Sequence, residues 1–322
     1  MTGDLPFETG DLLRRMGIER ELTSFELAGE GISGSRTCRV WFGDEGAMLK
    51  VTSPMSPPWV LGRARRELSF YRTLAGTIPL RVPALLGACD DEQAGVCLLL
   101  ARYRPARPAA EWLADDAVEI ARQLARFHAA FWGGGMRLAA HTWLRQPSAR
   151  TEEQTICHAR EQWDTLAHLP RFSSSFTAQA WRALDRAMER VGALDATVRT
   201  FPATLCHGDC HLDNVLRDET GQLVWADWSD VGVGAGPGDL SFLIQRANAD
   251  GARFSVDVLS AVYHQQLVES MGAVISLDAI RRVMDALELR TRLLDWPHYL
   301  GGASPPLLSS MLARIERLVA RF

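Results

Sequence analysis

The sequence predicts an α+β protein of two lobes, a small β-rich N-terminal lobe and a larger, mainly helical one. Three observations carry that expectation. The first hundred residues hold short alternating or β-branched runs parted by glycine-containing turns. Residues 104–110, RPARPAA, put two prolines where regular structure would otherwise continue. Beyond them, apolar residues recur at helical spacing. The expected division is therefore 1–103 and 104–322, in keeping with a prior of about 150 residues per lobe.

The elements follow in order. Residues 24–31, 37–44 and 46–52 read as strands, and 62–76 reads as a helix with Leu68, Tyr71 and Leu74 on one side. Residues 83–103 read as a hairpin turning over the polar stretch 90–95. In the second lobe, 114–132 sets Ile120, Leu124, Phe127 and Phe131 on one helical face. Residues 176–194, 254–272 and 276–296 share that period, and a helix from 305 closes the chain. One β-like segment, 214–227, interrupts the helical half.

Composition narrows the function. Apolar residues make up 47% and charged residues 23% of the 322, with a net charge of −4. That is an ordinary soluble profile and excludes a generally basic nucleic-acid binder. The longest aliphatic run, 96–101, is far too short to span a bilayer, and the N-terminal twenty residues lack the apolar core of a signal peptide. Six scattered cysteines lack disulfide-framework spacing and read as reduced thiols of a cytoplasmic protein. Cys206, His207, Cys210 and His211 lie close together, but a zinc site would want a second ligand pair further along. No nucleic-acid or membrane partner is expected, and the chain reads as a monomer or weak dimer.

Among 35 basic residues one is lysine, Lys50, in the apolar strand segment EGAMLKV. An ammonium is a compact charge on a flexible stem, suited to a narrow place between anionic oxygens. Residues 207–239 carry seven acids and one base, a charge of −6 inside a chain of −4. Like charges gathered this way repel unless a cation sits among them. Residues 217–222 form a turn, and Asn214 and Asp227 are nearly equidistant from it, so they are expected roughly opposite each other, with Cβ atoms about 5 Å apart. An amide oxygen and a carboxylate so placed suit Mg²⁺, which keeps few protein ligands and leaves the rest to phosphate and water. Asp209, in the loop before the hairpin, can orient a hydroxyl and accept its proton. Residues 29–35, GEGISGS, form a G-x-G-x-x-G loop between strands, an arrangement in which backbone N–H groups cover nucleotide phosphates.

Together these residues resemble the aminoglycoside phosphotransferase and choline kinase family, whose fold is protein-kinase-like. HGDCHLDN (207–214) is similar to its catalytic loop, VWADW (224–228) to its metal motif, GPGDLSFL (236–243) to the segment that follows, and MLKV (48–51) to its phosphate-binding lysine strand. The resemblance implies Asp209 as catalytic base and Asn214 and Asp227 as Mg²⁺ ligands. It implies Lys50 on the α/β-phosphates, paired with Glu67. It implies Gly29, Gly31, Ser33, Gly34 and Ser35 over the phosphates, and the backbone near Leu99, Leu100, Ala101 and Tyr103 around adenine. Asp239 would brace the catalytic loop. Leu212 stands where many relatives have proline. The donor would be ATP, with GTP the alternative.

The activity expected is transfer of the γ-phosphoryl group to a hydroxyl of a small molecule. The rival readings are a biosynthetic or metabolic kinase of a sugar, amino alcohol or pathway intermediate, and a nucleotide-binding pseudokinase. Residues 251–322 hold seven acids against eight arginines, and 105–206 eleven against twelve. Neither has the carboxylate surplus that would focus a polycation. Asp295, Trp296, His298 and Tyr299 crowd a proline-broken helix end and suit a ring-bearing ligand, with Asp230 as a further substrate-side carboxylate. The expected acceptor is thus a neutral or weakly cationic hydroxylated natural product, antibiotics included.

Overall fold

A computed structural model describes residues 9–30, 34–147, 151–272 and 274–322. In chain order its strands are β1 (Ser24–Glu30), β2 (Arg36–Phe42), β3 (Glu45–Thr52), β4 (Leu85–Asp91), β5 (Gly95–Ala101), β6 (Thr204–Cys206), β7 (Val215–Arg217), β8 (Leu223–Trp225) and β9 (Gly232–Gly234). Its helices are α1 (Thr9–Arg15), α2 (Pro58–Thr73), α3 (Ala114–Ala130), α4 (Gly135–Ala139), α5 (Glu153–Ala167), α6 (Ala178–Arg199), α7 (Pro237–Ala249), α8 (Val256–Met271), α9 (Leu277–Leu294) and α10 (Pro305–Val319).

The chain divides into two compact units. One comprises 1–112, 139–145 and 207–232, and the other 113–138, 146–206 and 233–322. The segment with the catalytic-loop motif and the 214–227 hairpin thus clusters with the N-terminal sheet.

In the first unit β1 to β5 form an antiparallel sheet of order β1-β2-β3-β5-β4. Its strands alternate because successive side chains point to opposite faces. Cys38, Val40 and Phe42 of β2 and Ala47, Leu49 and Val51 of β3 pack with Leu12, Leu13 and Met16 of α1 into one core. Alternation therefore assigns Met48 and Lys50 to the other face. α2 starts earlier than the periodicity suggested, because Pro58 fits the first helical position, where no N–H bond is lost. Its buried face is Val60, Ala64, Glu67, Leu68, Phe70 and Tyr71.

In the second unit α5, α6, α9 and α10 enclose a core that includes Trp163, Leu184, Leu289, Leu293, Leu312 and Ile315. Side-chain caps set where these helices start. Thr177, Ser255, Ser276 and Ser304 each accept a bond from the backbone N–H three residues on. α8 and α9 accordingly begin at Val256 and Leu277, within two residues of expectation. α5 and α7 had no assigned element in the sequence. No described helix is long and apolar enough to cross a membrane, and the six cysteines are unbridged.

Candidate active site

Lys50 stands on β3 opposite Thr37 of β2 and Leu98 of β5. α2 turns its inward face to the same place, and the one acid on that face is Glu67, 3% exposed. The Lys50 ammonium donates to both Glu67 carboxylate oxygens, at 2.8 and 3.0 Å, and lies 3.4 Å from Oδ1 of Asp227. Burial would lower the Lys50 pKa, but the charges of Asp227 and Glu67 outweigh it and hold the ammonium above its ordinary value. A guanidinium would need a wider slot and a forked partner, which accounts for lysine here.

The catalytic-loop segment is pinned from several sides. Gly208 has φ +84°, and a Cβ there would lie 2.1 Å from the Asp230 carbonyl oxygen. Only glycine fits that approach. His207 Nε2 bonds the Ala226 carbonyl at 3.0 Å, and its ring lies 4.5 Å from Trp228, which stacks on Phe70 of α2 at 4.1 Å. Asn214 Nδ2 donates to the Asp209 carbonyl at 2.9 Å and lies 3.0 Å from His211 Nε2. Its amide nitrogen therefore holds the loop and leaves its oxygen as the group for a cation. The Asp209 carboxylate lies 3.9 Å from His211 Nε2.

The hairpin register differs from the expected one. Val215 pairs with Trp225 and Arg217 with Leu223, so Asn214 faces Ala226, whose N–H donates to the Asn214 carbonyl at 2.9 Å. Asp227 lies one residue further on. There the chain turns into the left-handed region, φ 58°, the one positive φ at a non-glycine among the described residues. Such a conformation is costly for a non-glycine and concentrates at functional sites. Burial would raise the Asp227 carboxyl, but Lys50, a hydrogen bond from Ser229 and the His207 and Arg63 charges hold it well below the carboxylate range. Its Oδ1 is buried with no hydrogen-bond partner. A buried anionic oxygen in that state, beside an amide oxygen, fits a hard divalent cation.

The other expected positions separate into groups. Gly31 and Ser33 lie outside the described residues. Gly29 sits just past a bulge in β1, where the register slips between Leu27 and Gly29. Gly34 has φ +77°, and Ser35 Oγ bonds Thr52 Oγ1 at 2.7 Å. On β5, Leu99 pairs with Leu49 and belongs to the α1-side core, while Leu98 and Leu100 share the Lys50 face. The Leu99 side chain is thereby committed to that core. Ala101 and Tyr103 are half-buried. Asp230, expected on the substrate side, is held by Arg63, with Arg66 at 3.8 Å, both on α2. It clamps the loop after the hairpin to that helix, a role no sequence reading gave it. The arginines at 63 and 66, one helical turn apart, were the available signal.

In the second unit the substrate-side residues do not converge. Trp296 borders a cavity of about 520 Å³, with Arg246 and Arg292 carbons 5.9 and 5.7 Å from its ring centre. Asp295, His298 and Tyr299 are exposed, and the His298 and Tyr299 rings meet edge-on at 5.0 Å. The 3₁₀ turn at Trp296–Gly302 turns Trp296 toward the core and these neighbours outward. Asp239 hydrogen-bonds His128 Nε2 at 3.2 Å, and His128 Nδ1 meets the Tyr263 hydroxyl at 2.8 Å. His128, Cys206 and Asp239 gather within 4.8 Å, but those bonds already occupy both imidazole nitrogens.

Solved structures share this fold. The GDP complex of aminoglycoside 2'-phosphotransferase-IIIa is 14% identical, with 97% of each chain covered and a TM-score of 0.64. Macrolide 2'-phosphotransferase from Brachybacterium faecium is 17% identical over 96% of this chain and 95% of that one, TM-score 0.57. A microcompartment-associated aminopropanol kinase is 17% identical over 97% and 96%, TM-score 0.59. No curated protein sequence matches the chain. The model of the phosphotransferase enzyme family matches residues 26–263, from β1 through the lysine strand, the catalytic loop and the hairpin, and the chain belongs to that family.

Proposed function

We propose that the chain transfers the γ-phosphoryl group of ATP, with GTP as the alternative donor, to a hydroxyl of a small natural product. The observation that carries this reading is the Lys50–Glu67–Asp227 cluster, one half-buried ammonium between two carboxylates, with Asp227 Oδ1 3.4 Å from that ammonium and without a hydrogen-bond partner. Glu67 holds Nζ in place, so that the ammonium meets the α/β-phosphates without first being ordered. Asn214 and Asp227 would hold Mg²⁺, which when bound neutralises charge on the β- and γ-phosphate oxygens. Asp209 orients the acceptor hydroxyl and takes its proton as the oxygen attacks. The backbone near Leu99–Tyr103 would cradle the base, and the Gly29–Ser35 loop would cover the phosphates.

The acceptor reading follows charge. Acids and arginines are balanced over 105–206 and 251–322, which disfavours a polycation. Aminoglycoside, macrolide and aminopropanol enzymes all share the fold, and that supports hydroxylated antibiotics and amino alcohols as the panel to test. The set Lys50, Asp209, Asn214 and Asp227 is whole, which weighs against a pseudokinase. The test is coupled detection of nucleoside diphosphate release against kanamycin-like polycations, macrolides, nucleosides, sugars and amino alcohols. A neutral or weakly cationic acceptor is expected to give the highest kcat/KM. Efficient turnover of polycations alone, at about 10⁴ M⁻¹s⁻¹ or more, overturns the acceptor reading. Absence of nucleotide binding with Mg²⁺ overturns the kinase reading itself.

A further inference from the structure

The cavity of the helical unit has a chemistry of its own. It lies among α7, α9 and α10 with the start of α8 and Trp296. At about 520 Å³ it is the size of an ordinary small-molecule site. Met284, Met311, Ile244 and Leu307 give it an apolar floor and rim. Its ionic wall carries four guanidiniums, Arg281, Arg292, Arg314 and Arg321, against three carboxylates, Asp257, Asp285 and Glu288.

The pairing within that wall shows where positive charge is left over. Glu288, 6% exposed, is saturated. Its Oε1 accepts from Arg292 Nε at 2.8 Å and Arg314 Nε at 2.9 Å, and its Oε2 from Arg314 Nη2 at 2.6 Å. Asp285 is taken by Arg321, with Arg314 at 3.8 Å. Asp257 is 84% exposed and meets Arg281 at 3.1 Å. Arg292 therefore engages the wall through Nε alone. Its Nη pair has no hydrogen-bonding partner among the described residues. That edge of a guanidinium is the fork that binds a carboxylate with two parallel bonds.

A second orphan lies on α7. Gln245 borders the same cavity and is 7% exposed. Its Nε2 donates to Ser241 Oγ at 3.2 Å, and Ser241 Oγ donates on to the Met284 carbonyl at 3.1 Å. Its Oε1 is buried with no partner. Leaving such an acceptor unpaired is costly unless something donates to it. The wall thus asks for an anionic group at Arg292 and a hydrogen-bond donor at Gln245.

We infer that this cavity binds a mid-sized organic anion, with an apolar or aromatic body on the methionines and Trp296, one carboxylate-like group on Arg292, and an N–H or O–H directed at Gln245. The inference stands on the cavity alone and does not depend on the kinase reading. At this cavity, anionic ligands take the place of the weakly cationic ones that the sequence suggested for Trp296.

The test uses two fluorescent probes on the full chain. 8-Anilinonaphthalene-1-sulfonate has aromatic rings, an N–H and one sulfonate, and N-phenyl-1-naphthylamine is the same molecule without the sulfonate. One sulfonate probe is expected per chain, bound roughly tenfold or more tighter than the neutral probe, the scale of hydrogen bonds to charge. Gln245→Leu keeps the packing volume and leaves the Ser241–Met284 bond, so it should fold, and it is expected to weaken the sulfonate probe about fivefold. Arg292→Gln should weaken it further, with the thermal midpoint recorded alongside. If the neutral probe binds as tightly in wild type, or Gln245→Leu leaves binding unchanged within twofold, the inference fails.

Discussion

Two buried ionic clusters, one in each unit, differ in how they close. Around Lys50 one ammonium serves two carboxylates, Glu67 and Asp227, and one Asp227 oxygen has no hydrogen-bond partner. Around Glu288 two arginines serve one carboxylate, and both of its oxygens are saturated. The first cluster is incomplete within the protein, with a surplus negative charge suited to a cation. The second completes its acid, which suits Glu288 to holding α9 and α10 together, and its open edge is the Arg292 Nη pair, which suits an anion. Burial is similar in both, so burial does not distinguish function from scaffold. Unsatisfied valence does.

The comparison can be broken at several points. The largest effect is expected at Asp209. Asp209→Asn should lower turnover by about 10²–10⁴-fold and leave nucleotide affinity nearly unchanged in calorimetry. Turnover within a factor of three of wild type removes Asp209 from the mechanism. Next is Asp227→Ala, which takes away the unpartnered oxygen. ATP affinity in the presence of Mg²⁺ should fall by about 100-fold, the upper scale for lost support of a metal, while affinity measured with a chelator changes far less. Equal affinities with Mg²⁺ would mean that the first cluster is scaffold too.

The second cluster should answer in stability instead. Glu288→Ala leaves two partly buried guanidiniums facing each other and is expected to cost about 2–3 kcal/mol in chemical denaturation, somewhat below the loss of a fully buried pair. ATP affinity should not move. A drop in ATP affinity as large as the one from Asp227→Ala would erase the distinction between the clusters. The smallest effect is on pH. Burial raises the Glu288 carboxyl, but the Arg314 hydrogen bond and the Arg292 and Arg314 charges hold it below its ordinary value of 4.5. A depressed folded-state pKa gives stability that is present above the unfolded value and is lost as pH falls through the folded one. Thermal midpoints should therefore drop below about pH 4.5, and less steeply in Glu288→Gln than in wild type. Identical slopes would show that Glu288 is not held ionised.

The legible part of this molecule is the part written in short sequence separations. Strand alternation over 36–52 set Lys50 apart from Leu49 and Val51, because period two leaves no other choice. Glu67 is named by the family resemblance and not by its spacing; its place on the inward face of α2 beside Leu68 and Tyr71 comes from the structure. The hairpin was visible from its turn residues, but its register was not. Asn214 faces Ala226, and the positive φ at Asp227 is a tertiary outcome that no propensity announces. Asp230 could be listed as an acid, but its capture by Arg63 and Arg66 needed α2 to fold back more than 160 positions in sequence.

The sequence by itself determined the α+β class, the five N-terminal strands, the helices α2, α3, α6, α8, α9 and α10, the single lysine and the motifs that resemble a catalytic loop and a metal site. Each rests on side-chain periodicity or on residues within a few positions of one another. The tertiary structure alone decided which acids keep an open valence and which are saturated. It separated Trp296 from Asp295, His298 and Tyr299, and it gathered Gln245, Arg292 and Arg314 around one cavity. Those outcomes depend on which distant side chains arrive within about 3 Å of a given oxygen. Local spacing does not encode that; only the packing of α7, α9 and α10 against one another does.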